Sequence, residues 1–230
     1  MTRVAAIDCG TNSIRLLVAD GHIGEDGRPH LADLTRQMRI VRLGQGVDAR
    51  GYLDPAAISR AVEATVEYQR MIEKLGATNI RFVATSATRD ASNSAEFVRQ
   101  IKAVIGVEPE VVVGTQEASL SFRGAVGGLG ESLPGPLLVV DIGGGSTELV
   151  LGSTSVKQAI SIDMGAVRVT EKFFTHVDPA GGVPAADQER AIAWIDEQLD
   201  IAEKSVDLAR VRSLVGVAGT VTTLTAQALG

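Results

Sequence analysis

The chain has 230 residues, which exceeds the ~100–200 residues of a typical domain and leaves one large domain or two modest ones open. Hydrophobic residues make up 45% of it and charged residues 22%, and these ordinary globular values argue against a disordered or fibrous chain. The formal net charge of -6 disfavours a basic surface that coats nucleic acid. Any anionic ligand must therefore be met by a local site.

A single cysteine, Cys9, can form no internal disulfide, which favours a reducing compartment. No apolar stretch of the sequence reaches the ~18–20 residues that a bilayer-spanning helix needs. The sequence is therefore interpreted as that of a soluble, cytoplasmic protein whose partner is neither a nucleic acid nor a membrane.

The first half of the chain begins with two short β-prone runs that flank a polar hairpin tip at residues 8–13. A helix is predicted to begin at Pro55, behind the cap residue Asp54, and to end before Gly76. From Ile80 onward strands and helices alternate, which indicates an α/β fold with parallel strand pairing. The predicted strands are 4–7, 14–19, 38–43, 81–84 and 111–113, and the predicted helices are 55–75, 94–105 and 116–126.

The same plan restarts after residues 127–136, the stretch of the chain that is richest in glycine and proline. Such a composition is typical of a domain boundary. We therefore predict a first domain at 1–127, a linker at 128–135 and a second domain at 136–230. In the second domain the predicted strands are 137–142, 147–151, 156–162 and 214–217, and the predicted helices are 165–174, 186–204 and a last one that opens at Gly219.

The two halves share a motif in the same register. DCGTNS at residues 8–13 and DIGGGS at 141–146 each lie between two predicted strands, with aspartate, glycine and serine at matching positions. Small residues at a hairpin tip leave backbone N–H groups accessible to an anion, and the aspartate can hold a divalent cation. One such motif alone is typical of a tight turn, whereas its repetition in register favours two phosphate-binding loops.

These loops resemble the phosphate-binding hairpins of the sugar kinase, heat-shock chaperone and actin superfamily. Together with SATRDA at 86–91, GTQEA at 114–118, DIGGGSTE at 141–148 and GVAGT at 216–220, they resemble the exopolyphosphatase and guanosine pentaphosphate phosphatase family, from about Val4 to the C-terminus. The resemblance implies an α/β fold of two ribonuclease H-like (actin-like ATPase) domains with a cleft between them. The occurrence of the motifs in the family's order makes the resemblance specific.

Two features depart from the family pattern. Family members usually carry a Glu-Glu pair before the alanine, and here Gln116 replaces the first glutamate, so that the role rests on Glu117 alone. The sequence stops at Gly230, soon after Thr220, where family members continue with helices that complete the second domain. We therefore expect the second domain to be incomplete at its C-terminal end, or the chain to be a fragment.

The resemblance assigns a ligand to each loop. Asp141, with Asp8 opposite it, would hold Mg²⁺ or Mn²⁺, since hard oxygen ligands suit such cations. The alternative for both aspartates is a carboxylate that only caps its turn. The residues expected to bind phosphate through backbone and hydroxyl donors are Asn12, Ser13, Gly144, Gly145, Ser146 and Thr147.

Three further side chains are implied in catalysis by the resemblance, each with a simpler alternative. Glu117 would be the general base for the attacking water, although a carboxylate at a helix start is also favoured by the helix dipole. Glu148, which strand alternation turns away from Thr147, would position water or metal, or would be a solvated strand carboxylate. Arg89 would pair two phosphate oxygens, or would be an ordinary surface arginine.

The function that follows is removal of the terminal phosphate from inorganic polyphosphate, and from guanosine pentaphosphate as a further substrate, by a glutamate-activated water with metal assistance. The alternatives are a small-molecule kinase of the same fold and a nucleotide- or alarmone-binding sensor. The family often forms dimers, so the resemblance also admits a homodimer. The sequence does not choose among polyphosphate chain lengths.

Overall fold

The computed structural model describes residues 1–25, 27, 29–129, 133–176 and 181–230, which form two compact units, Met1–Val112 and Val113–Gly230. Each unit contains one mixed β-sheet with helices, as predicted for an α/β fold. The elements of the first unit are, in chain order, β1 (Thr2–Cys9), β2 (Ser13–Ile23), β3 (Pro29–Ile40), α1 (Val47–Arg50), α2 (Pro55–Leu75), β4 (Asn79–Ala84), α3 (Ser86–Asp90), α4 (Ser94–Ile105) and β5 (Glu110–Val111).

The first sheet has the strand order β3-β2-β1-β4-β5. β1 runs antiparallel to β2 and parallel to β4. The β1–β2 hairpin tip therefore lies beside the carboxyl end of β4, at the same end of the strands. Alternate residues of β1 and β2 are buried and form the core together with side chains of α2 and α4. The intervening residues Ala6 and Asp8 of β1 face away from that core and are exposed.

Helix α2 begins and ends where its local sequence predicts. The Asp54 side chain accepts a hydrogen bond of 2.9 Å from a backbone N–H of the first turn, and Pro55 opens the helix. Gly76 ends it in the left-handed conformation, with a φ of 72°. The buried Tyr68 donates from its hydroxyl to the Ile14 carbonyl at 2.9 Å, which ties the helix to β2.

The second unit repeats the connectivity of the first. Its sheet has the order β8-β7-β6-β9, in which β6 is antiparallel to β7 and parallel to β9, just as β1 is to β2 and β4. The duplication predicted from the two loops therefore extends to the sheet around each loop. The elements are α5 (Gly114–Leu129), β6 (Leu137–Ile142), β7 (Thr147–Gly152), β8 (Val156–Ile162), α6 (Ala166–Phe173), α7 (Ala185–Glu203), a 3₁₀ turn (Leu208–Arg210), β9 (Ser213–Val217) and α8 (Ala218–Leu229).

Helix α5 packs with the sheet that follows it in the chain. Its residues Ala118 and Phe122 are buried in one cluster with side chains of β6 and β7. Because of these contacts the two units divide before α5, whereas the predicted linker lies after α5, in the glycine- and proline-rich segment. Of that predicted linker, 128–135, residues 130–132 lie outside the described part of the chain.

The bounds of several strands differ from the predictions, whereas the predictions for α2 and α4 are confirmed. The third strand was predicted at 38–43, but β3 is longer and ends at Ile40. This edge strand pairs with β2 through its backbone while nearly all its side chains are exposed, so it lacks the buried alternation by which strands are predicted. The strand predicted at 111–113 is reduced to the two residues of β5.

Candidate active site

The hairpin tip between β6 and β7 is closed by a hydrogen bond from the Gly143 N–H to the Ser146 carbonyl at 3.0 Å. The tip between β1 and β2 has the same closure, from the Gly10 N–H to the Ser13 carbonyl, also at 3.0 Å. The duplicated sequence motif therefore forms the same turn twice.

The N-terminus of α6 is hydrogen-bonded to the second of these tips. The N–H groups of Ala166 and Val167 donate to the carbonyls of Gly143 and Gly144 at 3.0 and 2.9 Å. The C=O and N–H of one peptide unit point in opposite directions, so the N–H groups of Gly144 and Gly145 face away from α6. Successive N–H groups on one side of a turn suit an anion.

Two side chains hold the same tip in place. Arg168, on α6, donates from its Nε to the Gly145 carbonyl at 2.9 Å. The Ser146 N–H belongs to the same peptide unit as that carbonyl, so it points away from α6. The buried Thr147 hydroxyl donates to the Met164 carbonyl. Its single proton is used there, so the hydroxyl anchors the tip, and phosphate binding by Thr147 stays a prediction.

Asp141, Glu148 and Ser161 lie side by side on β6, β7 and β8. Asp141 pairs with Glu148, and Glu148 with Ser161, in the register of the two antiparallel ladders. Directly paired residues project from the same face of a sheet. The Ser161 hydroxyl donates to Glu148 Oε1 at 2.8 Å. One face of the second sheet thus presents two adjacent carboxylates immediately beside the tip.

Helix α5 brings further groups to this row of residues. Its Ser121 hydroxyl donates to Asp141 Oδ2 at 2.6 Å. A Cβ on Gly114, the first residue of the helix, would lie 2.6 Å from the Ser161 Oγ, so a larger residue would displace that serine. Glu117 lies in the first turn of α5 and is half-buried.

Glu148 has an unusual environment for a carboxylate. Its side chain is 1% exposed. Burial, and after it the negative charges of Glu117 and Asp141, raise the pKa of Glu148 to about 8, against the opposing effect of hydrogen bonds from the side chains of Ser161 and Ser146. A carboxyl group that titrates near neutral pH suits proton transfer. The alternative of a solvated strand carboxylate is therefore wrong.

The tip of the first unit is held by a loop rather than by a helix. The Asn12 carbonyl accepts hydrogen bonds from the N–H groups of Val41 and Arg42 at 3.0 and 2.9 Å. The Ser13 N–H, on the other side of the same peptide unit, faces away from this loop. Both tips therefore have a carbonyl side that is bonded to protein and an N–H side directed away from that contact.

The two sheets differ at the position next to the tip. Asp8 pairs in register with Arg15, whereas the equivalent pair in the second unit is Asp141 with Glu148. Asp8 is exposed, while Asp141 is half-buried. The first unit therefore contributes one carboxylate beside its tip, and the second contributes a pair.

Arg89 lies in the last turn of α3, the short helix that follows β4. Its Nη1 donates to the Val112 carbonyl at 3.1 Å, and its Nε is 3.6 Å from the Asp90 carboxylate. The Thr11 and Ser86 hydroxyls are 2.8 Å apart, which ties the start of α3 to the first tip. Arg89 therefore lies on a helix whose first residue is hydrogen-bonded to the first tip.

The structure brings together, within the second unit, the predicted residues Glu117, Asp141 and Glu148. It places Asp8, Asn12, Ser13 and Arg89 in the first unit. Within the described ranges no group of three or more histidine, cysteine, aspartate or glutamate side chains is arranged to hold a metal ion.

Sequence reasoning missed two serines that orient the carboxylates. Ser161 could have been found by aligning the predicted strands, because it pairs with Glu148 in the register. Ser121 carried no usable signal, since its approach to Asp141 depends on how α5 packs on the sheet.

Solved structures that superpose on the chain also contain two α/β units and have the actin-like ATPase fold. Residues 22–229 match the model of the Ppx/GppA phosphatase family. The chain belongs to the Ppx/GppA phosphatase family and is a phosphatase, a hydrolase.

Three relatives illustrate the similarity. Exopolyphosphatase 2 of Mycobacterium tuberculosis is 48% identical over 233 residues, which cover 99% of this chain and 71% of that protein. The crystal structure of an exopolyphosphatase-like protein is 44% identical with a TM-score of 0.91, covering 100% of this chain and 69% of that one. The crystal structure of the Aquifex aeolicus family member is 32% identical with a TM-score of 0.73, covering 99% of this chain and 69% of that one.

The close packing of Gly165 against the second tip gives a first prediction. A Cβ on Gly165 would lie 2.3 Å from the Gly144 carbonyl oxygen. We expect Gly165→Ala to displace the tip and to lower kcat/KM for phosphate release by roughly 10- to 100-fold, since small displacements of bound groups have effects of that size. The control is Gly124→Ala, where a Cβ meets nothing within 4 Å. Equal kcat/KM for the two variants would contradict the assigned contact.

The hydrogen bond from Ser161 to Glu148 gives a second prediction. This bond lowers the pKa of Glu148 from the still higher value that burial alone would produce. We expect Ser161→Ala to shift the Glu148-dependent limb of the pH–rate profile to higher pH and to lower kcat by roughly 5- to 100-fold, because the buried carboxyl group loses one of its two serine hydrogen bonds. Ser155→Ala, at an exposed turn, is the control. An unshifted profile in Ser161→Ala would show that the bond does not tune Glu148.

Proposed function

We propose that this phosphatase is an exopolyphosphatase, which removes the terminal phosphate of inorganic polyphosphate by attack of water on the phosphoanhydride bond. The observation that carries the proposal is the buried carboxyl group of Glu148, whose pKa is raised to about 8, beside a hairpin tip with its N–H groups turned to one side. The substrate class is supported by the name of the Mycobacterium tuberculosis relative.

Substrate binding is assigned to the two tips. In the second unit the N–H groups of Gly144, Gly145 and Ser146 would donate to the oxygens of the terminal phosphate. In the first unit Asn12 and Ser13 would donate to the same anion. The Arg89 guanidinium would pair with oxygens of the chain that leaves, because a planar guanidinium can bind two phosphate oxygens at once.

Proton transfer is assigned to the pair Glu117 and Glu148. Below about pH 8 Glu148 is mostly protonated, which removes one negative charge from beside Glu117. Glu117 would accept a proton from the attacking water as its oxygen bonds to phosphorus. The bond from phosphorus to the bridging oxygen breaks, and the shortened polyphosphate leaves with the electron pair. Glu148 would hold the water through a hydrogen bond.

The donor set of the second unit fits a hard divalent cation. Glu117 and Asp141 lie close enough to Glu148 for their negative charges to raise its pKa. A site with several acidic groups repels a polyanion unless positive charge is present. Asp141, together with Asp8, would hold Mg²⁺ or Mn²⁺, which prefer carboxylate and water oxygens. When bound, the ion would neutralise negative charge on the phosphate oxygens.

A reducing, cytoplasmic location is proposed on the basis of Cys9. This cysteine is buried, and burial raises the pKa of its thiol, so it is neither a disulfide partner nor a nucleophile. None of the described helices is both long and apolar enough to cross a membrane.

The experiment is a phosphate-release assay with Mg²⁺ across substrates. Polyphosphates of several lengths, guanosine pentaphosphate, and ATP with and without sugar acceptors are compared. We expect release from polyphosphate, with guanosine pentaphosphate as a second substrate because it also ends in a phosphoanhydride. Acceptor-dependent ATP consumption would replace the proposal with a kinase. Tight binding of guanosine pentaphosphate without turnover of any substrate would replace it with an alarmone sensor.

A further inference from the structure

Strand β3 forms an exposed edge of the first sheet. It pairs with β2 on one side, and no other described strand pairs with its outer side. Four large apolar side chains on it are exposed: Leu31 at 57%, Leu34 at 40%, Met38 at 53% and Ile40 at 59%. An edge of this length with exposed apolar groups is a template for pairing with another strand.

A β-bulge divides β3 into two halves. Thr35 pairs with Val18 and Asp33 pairs with the next residue, Ala19, so Leu34 is an extra residue in the strand. Arg36 pairs with the residue before Val18. Residues two apart on β2 project from one face, so Asp33 and Arg36 lie on the same face of β3 despite their odd separation. Their mutual ion pair agrees with this placement.

The residues on that face of β3 are self-complementary about the bulge: apolar residues mirror apolar ones, and an acidic residue mirrors a basic one. Outward from the bulge toward the N-terminus come an acidic residue, Asp33, and an apolar one, Leu31. Outward toward the C-terminus come a basic residue, Arg36, and two apolar ones, Met38 and Ile40. If this strand pairs antiparallel with a copy of itself centred on the bulge, Asp33 lies opposite Arg36 of the copy, and Leu31 lies opposite Met38.

The backbone of β3 is symmetric in the same sense. Along an antiparallel pair, the residues that hydrogen-bond to the neighbour alternate with those whose N–H and C=O point to the other side. Asp33 and Arg36 pair with β2 residues two positions apart, so both are of the same type. The outward-pointing backbone groups of one copy therefore meet outward-pointing groups of the other in the register that matches the charges.

We propose that the outer edge of β3 binds β3 of a second copy of this chain, in antiparallel register about the bulge. Two acid–base pairs and two pairs of apolar side chains then lie across the interface, and the two five-stranded sheets become one. The choice of a second copy, rather than a different protein, rests on the self-complementarity of the strand.

Charge reversal with re-pairing tests this interface. In Asp33→Arg the central pairs become Arg opposite Arg, and in Arg36→Asp they become Asp opposite Asp. We expect the wild-type chain to sediment as a dimer and each variant to have a dimer dissociation constant raised at least about tenfold, because like charges face each other. An equimolar mixture of the two variants restores Arg opposite Asp in both pairs and should form a heterodimer.

The controls make each outcome informative. Glu189→Arg reverses an exposed charge outside β3 and should leave the dimer intact. Cooperative unfolding of the two β3 variants, measured by circular dichroism, shows that loss of the dimer is not loss of fold. A wild-type monomer at ~100 μM, about two orders of magnitude above an ordinary micromolar affinity, would overturn the proposal. So would a dimer that survives both reversals, or a mixture that stays monomeric. Phosphate release is not the readout, so failure here is distinct from failure of the exopolyphosphatase proposal.

Discussion

Glu117→Gln is expected to lower kcat for phosphate release from polyphosphate by about 10²- to 10⁴-fold, the contribution typical of a positioned general base. Glutamine keeps the size and polarity of the side chain but cannot accept a proton from water. KM should change little, because Glu117 is not assigned to substrate binding. The measurement is steady-state phosphate release at saturating polyphosphate and Mg²⁺.

A matched control separates catalysis from the helix dipole. Glu96 also lies in the first turn of a helix, α4, and is exposed. Glu96→Gln removes the same charge from an equivalent helix position and should leave kcat unchanged. If Glu117→Gln and Glu96→Gln have equal kcat, the assignment of Glu117 as the base is wrong.

Glu148→Gln is expected to reduce activity and, at alkaline pH, to stabilise the fold. The folded-state pKa of about 8 lies above the ordinary value of 4.5, so the folded protein binds this proton more tightly than the unfolded chain does. Stability from Glu148 is therefore fully present below about pH 4.5 and is lost as the pH rises through 8. Glutamine resembles the protonated form, still accepts the hydrogen bond from Ser161, and avoids this loss.

The size of this effect can be measured by urea unfolding without divalent cations. The free energy of unfolding of Glu148→Gln minus that of the wild type should grow between pH 5 and pH 8, reaching on the order of 2–4 kcal/mol at pH 9. Glu189→Gln, an exposed carboxylate, should show no such trend. A difference that does not vary with pH would mean that Glu148 is ionised in the folded protein at neutral pH. The same variant should reduce phosphate release less than Glu117→Gln does, because glutamine keeps a hydrogen-bonding group for the attacking water.

The sequence predicts elements well where local chemistry and burial agree. Helix α2 is an example, because Asp54, Pro55 and Gly76 mark its ends and its apolar spacing marks its buried face. The two tips were predicted because aspartate, glycine and serine recur in register, and the repeated closing hydrogen bond is the structural counterpart of that repetition.

The candidate site was predictable in composition but not in environment. Strand alternation predicted that Glu148 points away from Thr147, yet it could not tell whether solvent or α5 lies on that side. The answer depends on α5, whose Ala118 and Phe122 pack against β6 and β7 and exclude water from that face. The raised pKa of Glu148 and the contact between Ser121 and Asp141 both follow from this tertiary packing.

The division of the chain was hard to predict for a related reason. Glycine and proline mark where a chain turns, and they do not show which sheet a helix joins. α5 precedes the glycine- and proline-rich segment but buries its apolar side chains against strands that follow it. The length of β3 was missed because an exposed edge strand leaves little hydrophobic pattern in the sequence.

We propose that both tips bind one phosphate group with a cation held by Asp8 and Asp141, and a double-mutant cycle on these two aspartates measures whether they act together. The measured quantity is kcat/KM for phosphate release from polyphosphate with Mg²⁺, for the wild type, Asp8→Asn, Asp141→Asn and the double variant. If the two aspartates act on one substrate, each single variant loses about 10²-fold or more and the double variant loses much less than the product of the two losses. If the two losses multiply, or if only one aspartate variant loses activity, the two aspartates do not act together on one bound phosphate.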